Sequence, residues 1–265
     1  MEPVVHLRDT VALLGRFPAL AGVDLDVECG EVVLLRGPNG AGKTTVLRAC
    51  AGLVPVVRGE ARVLGHDLRR DTRPVRRRVG LLGHATGLFE DLTVADNVTF
   101  WGRAYRAGRD DVEAALTVTG LSTRLRDVPV ARLSAGQRRR TSLACLLARR
   151  PELWLLDEPH AGLDHDARDL VDGLVRQAVG EGATVVMSSH DLDRAEALAD
   201  RVVELAAGTT VGWRPAGPGV PPRPGAMAAP DGPAQPAGRD QRTDPREQDV
   251  TLELGAAPTA VSHVA

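Results

Sequence analysis

Short apolar runs separated by glycine and polar turns mark the first part of the chain. Val4 to Leu7 and Val23-Asp24-Leu25-Asp26-Val27 read as strands. Val32-Val33-Leu34-Leu35 is apolar at successive positions, the mark of a buried strand. Ala61-Arg62-Val63-Leu64 and Val79-Gly80-Leu81-Leu82 add two strand candidates, and the Arg-rich segment Arg69 to Arg78 between them reads as a solvated helix face. From 92 to 150 the pattern turns helical. Thr93 is placed to cap a helix that Asp96 closes with a capping box, and further helices are expected over about Asp110 to Thr119 and Ser134 to Arg149. Leu153-Trp154-Leu155-Leu156 returns to a buried strand, followed by a helix near 166–178, the strand Thr184-Val185-Val186-Met187 and a helix near Asp191 to Ala199. Strands alternating with helices predict an α/β fold with a helical insertion. Beyond Trp213 the periodicity stops. Residues 214–249 are mostly Pro, Gly, Ala and charged residues without an aromatic, which cannot bury enough apolar surface to order themselves. A disordered tail over 214–265 is expected, with Val250 to Leu254 as an isolated alternation.

Composition narrows the function classes. A chain of 265 residues suits one α/β domain with a subdomain. A net charge of −2 and 3% aromatics supply no general basic field, so no nucleic-acid partner is expected. Cys29, Cys50 and Cys145 are far apart and read as reduced thiols. No apolar run approaches the length of a membrane span and no signal-peptide pattern opens the chain, so no direct span is expected.

The basic residues carry the sharpest signal. Lys43 is the single lysine among the 33 Lys and Arg residues, and it sits in Gly37-Pro38-Asn39-Gly40-Ala41-Gly42-Lys43-Thr44. An ammonium is a compact point charge on a slim stem, whereas a guanidinium is a broad planar fork. A loop that wraps phosphate closely has room for the first. Gly37, Gly40 and Gly42 let the backbone turn its N–H groups towards one point. The helix opening at Thr44-Thr45 adds unpaired N–H groups and a positive dipole end. In this phosphate cradle Lys43 would reach the β- and γ-phosphates of a nucleotide, and the Thr44 hydroxyl would ligate Mg²⁺.

Leu153 to Leu156 ends in Asp157-Glu158-Pro159, two acids at the edge of a strand where open α/β sheets bind ligands. Asp157 is suited to holding Mg²⁺, and Glu158 to polarising the water that attacks the γ-phosphate.

A third set of residues completes a pattern. Leu133-Ser134-Ala135-Gly136-Gln137 stands at a helix start, Ala161-Gly162-Leu163-Asp164 follows the acidic strand, and Ser188-Ser189-His190 closes the next one. With the phosphate loop, these resemble in order and spacing the motif set of ABC-type ATPases over residues 3–213: Walker A, signature, Walker B, D-loop and switch histidine. The resemblance implies a P-loop NTPase core with an antiparallel β subdomain and a helical signature subdomain at about 85–150. It also implies that Ser134, Gly136 and Gln137 meet the γ-phosphate bound by another subunit, that Asp164 lies at the dimer seam, and that His190 contacts the γ-phosphate. Ser134 as a helix cap, leaving N–H groups facing an anion, fits that role. The implied partners are a second ATP-binding subunit, as homodimer or heterodimer, and an integral membrane permease subunit. The implied location is the cytoplasmic face of the membrane, as a peripheral protein.

The chain also departs from the family pattern. The adenine-stacking aromatic is replaced by Leu14, with Phe17 nearby as a substitute. Gly83-His84-Ala85-Thr86-Gly87 stands where the Q-loop glutamine belongs, with His84 or Ala85 at the equivalent position. Ala135 replaces a common glycine. Gly83-His84, Leu-Ser-Ala-Gly-Gln and Leu-Trp-Leu-Leu-Asp-Glu-Pro resemble the ATP-binding subunit of the haem exporters of cytochrome c biogenesis. Other small-molecule and drug exporters share these cues. Residues 46–132 lack the long heptad coiled coil of chromosome-type relatives, and a kinase reading leaves Ser134 to Gln137 unexplained.

Overall fold

In the computed structural model, the described residues are 2–83 and 87–217. One ten-stranded sheet runs through them. Its strands are β1 (Val5–Leu14), β2 (Phe17–Val27), β3 (Val32–Arg36), β4 (Val56–Val63), β5 (His66–Asp67), β6 (Val79–Leu82), β7 (Leu153–Asp157), β8 (Thr184–Ser188), β9 (Arg201–Ala206) and β10 (Thr209–Pro215). The order is β5-β4-β1-β2-β10-β9-β3-β8-β7-β6. β9, β3, β8, β7 and β6 pair in parallel, whereas β2, β1, β4 and β5 pair antiparallel. The antiparallel β subdomain and the mixed α/β core are both present.

The helices are α1 (Lys43–Cys50), α2 (Arg73–Arg78), α3 (Val94–Ala104), α4 (Arg109–Val118), α5 (Ala135–Ala148), α6 (His165–Gly180) and α7 (Leu192–Glu196). Strand alternation divides the core between two faces. Val33, Leu35, Leu153, Leu155 and Val186 point to the face covered by Val46 and Leu47 of α1 and by the antiparallel strands. Val32, Leu34, Trp154, Leu156, Val185 and Met187 point to the other face, against Val171 and Val175 of α6 and Leu143 and Leu146 of α5. α1 is thus buried between two layers of sheet.

α5 has two apolar sides. Leu143 and Leu146 pack on the sheet, while Ala144, Cys145 and Ala148 pack with Val94, Val98, Val112 and Leu116 of α3 and α4. The helical insertion therefore has its own core and shares one helix with the sheet. Thr93 Oγ1 accepts from Asp96 N at 3.1 Å, the expected capping contact.

Several boundaries differ from expectation. β1 and β2 run to 10 and 11 residues: most of their polar positions face outward in an antiparallel pair, and the buried Thr10 and Asp26 are satisfied by Glu60 O and by His6 and Arg8. α7 is confined to Leu192–Glu196. β9 and β10 form a hairpin where no strand was expected. β10 reaches Pro215, two residues past the boundary expected at 213, and Ala216 N donates to Asp200 O at 3.0 Å. The Arg-rich run is largely paired within the protein, Arg70 to Asp67, Arg73 to Asp71 and Arg78 to Glu152. His84, Ala85 and the segment 218–265, with the alternation at 250–254, lie outside the described residues. Among the described residues no helix is long and apolar enough to cross a membrane.

Candidate nucleotide site

The turn between β3 and α1 depends on glycine at Gly37 and Gly42. Gly37 has φ 151°, and a Cβ there would lie 2.2 Å from Leu205 O. Gly42, at φ 104°, caps α1 and would bring a Cβ to 3.0 Å from Leu20. The loop is held from outside by the β9–β10 hairpin. Gly208 N donates to Ala41 O at 3.1 Å, and Gly208 O accepts from Ala21 N at 2.7 Å. A hairpin invisible in the apolar pattern therefore fastens the phosphate loop to β2.

Lys43 is 9% exposed, and its Nζ donates to Gly37 O at 2.7 Å and to Pro38 O at 3.1 Å. The ammonium thus lies across the mouth of the loop. Beside it the start of α1 meets the end of β7. Thr44 Oγ1 donates to Asp157 Oδ2 at 2.8 Å, and Ser188 Oγ donates to Asp157 Oδ1 at 2.7 Å. The carboxylate is fixed through both oxygens, with the Thr44 hydroxyl adjoining. A hydroxyl and a carboxylate side by side at a phosphate loop form the hard oxygen donor set that suits Mg²⁺.

Glu158 follows with φ 51°, a left-handed conformation for a non-glycine residue. Its Oε2 accepts from His190 N at 2.9 Å, and its Oε1 lies 3.5 Å from His190 Nε2. Parallel register places Asp157 opposite Ser188, which is how residues more than thirty positions apart reach one spot.

These groups line one cleft of about 560 Å³, with Asn39 to Thr45, Asp157, Glu158 and His190 among its walls. Leu14, Pro18 and Ala19 close one side, whereas Phe17, 79% exposed, is not part of the lining. The apolar wall falls to Leu14 and not to an aromatic ring. Arg48, Ala207 and Gly208 also line the cleft and were not anticipated.

Ser134, Gly136, Gln137 and Asp164 are not brought to this cleft. Ser134 Oγ accepts from Gln137 N at 3.2 Å while Gln137 Oε1 accepts from Ser134 N at 3.0 Å, a capping box at the exposed start of α5. Asp164 caps α6 by accepting from Ala167 N at 2.9 Å. Gly136 faces the D-loop, where an added Cβ would lie 3.6 Å from Gly162 O.

Two buried groups behind the cleft went unread in the sequence. His160 Nε2 pairs with Asp172 Oδ1 at 2.8 Å, and Asp172 Oδ2 accepts from Arg194, tying the D-loop turn to α6 and α7. Arg139 donates to main-chain carbonyls around Glu158. Its burial pushes the guanidinium pKa down from its ordinary value, and the Asp157 and Glu158 carboxylates oppose that shift.

Comparison with known proteins gives consistent similarities. The family described as ABC transporter matches residues 20–161. A daunorubicin/doxorubicin resistance ATP-binding protein of Streptomyces peucetius is 38% identical over 196 residues, 73% of this chain and 59% of its own length. A cytochrome c biogenesis ATP-binding export protein of Xanthomonas axonopodis pv. citri is 36% identical over 204 residues, 77% of this chain and 94% of its own. The chain spans 59–62% of the length of several curated relatives. Among solved structures, a dimeric ATP-binding cassette in a post-hydrolysis state with ADP and Pi superposes with a TM-score of 0.74 at 26% identity, covering 81% of this chain and 99% of that one.

Proposed function

As the chain belongs to the ABC transporter family, we propose that it is the ATP-binding and ATP-hydrolysing subunit of a transporter whose membrane-spanning part is a separate permease. The observation that carries this reading is the 2.8 Å contact between Thr44 Oγ1 and Asp157 Oδ2, which joins the phosphate loop to the acidic strand end beside Glu158. Lys43, the loop N–H groups and the start of α1 would bind the ATP phosphates. Thr44 and Asp157 would hold Mg²⁺, whose chemistry is to neutralise charge on the β- and γ-phosphates. Glu158 would take the proton of the attacking water, with His190 N steadying its carboxylate, and His190 would approach the γ-phosphate.

Ser134, Gly136, Gln137 and Asp164 would complete the site of a second ATP-binding subunit in a head-to-tail dimer. Ser134 and Asp164 are exposed, Gly136 and Gln137 are half-buried, and none of the four lines its own cleft, which supports this. Phe89 and Phe100, 44% and 47% exposed and stacked edge-on at 4.9 Å, with Trp101 beside them, form a candidate docking surface for the permease at the cytoplasmic face of the membrane.

For the cargo, haem export in cytochrome c biogenesis is favoured, because export relatives of that pathway match over 94% and 88% of their lengths. Export of a drug-like small molecule is the second reading, supported by 38% and 39% identity to daunorubicin-resistance subunits. Phosphate release from ATP with Mg²⁺ tests the activity. The wild-type chain is expected to turn over and Lys43→Ala to be inactive; equal turnover by both would refute the site. Identifying the integral protein that accompanies the chain from solubilised membranes separates the cargo readings.

A further inference from the structure

Arg139 does not itself line the nucleotide cleft, yet the main chain after β6 and that at the end of β7, which does line it, meet on its guanidinium. The residue is 6% exposed, on the side of α5 that also carries Leu143 and Leu146 against the sheet. Nη1 donates to Gly83 O at 2.6 Å, just before the segment where the family's glutamine is missing. Nη2 donates to Asp157 O at 2.8 Å and to Glu158 O at 2.7 Å, and Nε lies 3.5 Å from Pro159 O.

A buried cation is costly unless its donors are used. Here all three donor nitrogens are spent on main-chain carbonyls at the ends of the neighbouring strands β6 and β7. The end of β7 is also where Glu158 takes its left-handed φ of 51°, which a β-carbon normally disfavours. Such a conformation persists only where its surroundings impose it. Ser188 holds the Glu158 N–H from one side, at 3.2 Å through its carbonyl, and Arg139 holds the carbonyl from the other.

We propose that Arg139 is a positioning residue for hydrolysis, its fork fixing the turn that aims Glu158 and linking that turn to Gly83 and the signature helix. The assignment rests on the ATPase reading above. A planar guanidinium with donors in fixed directions can hold several carbonyls in one geometry, whereas an ammonium offers one point. Because α5 also belongs to the helical core, a shift of that core against the sheet pulls directly on the Glu158 carbonyl.

The test compares full-length wild type, Arg139→Lys and Arg139→Met, with kcat and KM for ATP measured separately. Equilibrium binding of a fluorescent ATP analogue and thermal melting accompany the kinetics. Both variants are expected to lose roughly 10- to 100-fold in kcat. KM and analogue affinity should stay within about threefold of wild type, since the phosphate loop is untouched, and melting should remain cooperative. Wild-type kcat in the variants would overturn the proposal. So would loss of analogue affinity in proportion to kcat, or loss of cooperative melting in both variants, which would mark Arg139 as a structural residue. An inactive wild type would remove the ATPase reading and this assignment together; an active wild type with equally active variants would remove this assignment alone.

Discussion

At the scale of single residues, charge type and side-chain shape decide more than charge sign. Lys43 threads between Gly37 O and Pro38 O in a chain that elsewhere uses arginine. Lys43→Arg is expected to cut ATP turnover by roughly 100-fold or more while thermal melting stays near wild type. Its phosphate-release rate checks this. Reactivity of the cysteines follows burial. Burial pushes the Cys50 and Cys145 thiols up to about 12, so both stay protonated at neutral pH, whereas Cys29 is exposed. Titration with a chromogenic disulfide should find one fast thiol in the native protein and all three after denaturation. Lys43, Asp157 and Glu158, which share one cleft, were legible because the roles proposed for them demand particular residue types next to a strand end. Arg139 was not, because Arg138-Arg139-Arg140 reads as a basic helix face. The available signal was its spacing four and seven places before Leu143 and Leu146, which puts it on the buried side.

At the scale of elements, the buried parallel strands were legible and the β9–β10 hairpin was not. Leu153 to Leu156 is apolar on both faces because helices cover both. Thr209 to Pro215 alternates weakly and includes a glycine and a polar edge, so only its pairing with β9 makes it a strand. That hairpin positions the phosphate loop, and Gly208 is its tightest point. At φ 77°, with Ala19 O 2.9 Å from an added Cβ, Gly208→Val is expected to destabilise the fold by about 1–3 kcal/mol and to raise KM for ATP. Chemical denaturation and steady-state kinetics check both effects. The Arg78–Glu152 pair ties the end of α2 to the start of β7. The Arg78 hydrogen bond holds the Glu152 carboxyl below the usual range. Because the folded pKa is depressed, the stabilisation is present above the unfolded value and lost as pH falls through the folded one. Both side chains are substantially exposed, so Glu152→Gln should cost about 0.2–1 kcal/mol at neutral pH. The difference should shrink as pH falls below about 4, near the ordinary carboxylate value, and vanish once pH passes below the depressed folded value. Denaturation at several pH values reads it.

At the scale of the whole molecule, the proposed reading makes the cleft half of a site. Lys43, Thr44, Asp157, Glu158 and His190 converge on it, while Ser134, Gly136, Gln137 and Asp164 stand outside it at their own helix starts. In the proposed dimer the start of α5 would face the anion held by a second copy or a homologous subunit placed head to tail. That arrangement was implied by motif order and could not be read from periodicity, which reports how a chain buries its own surface. The most direct test is the mass of Glu158→Gln in solution, by light scattering, with and without ATP and Mg²⁺. A monomer that becomes a dimer only with ATP, and reverts when Ser134→Arg is added, is the expected result. A mass unchanged by ATP while the nucleotide remains bound would contradict the composite site.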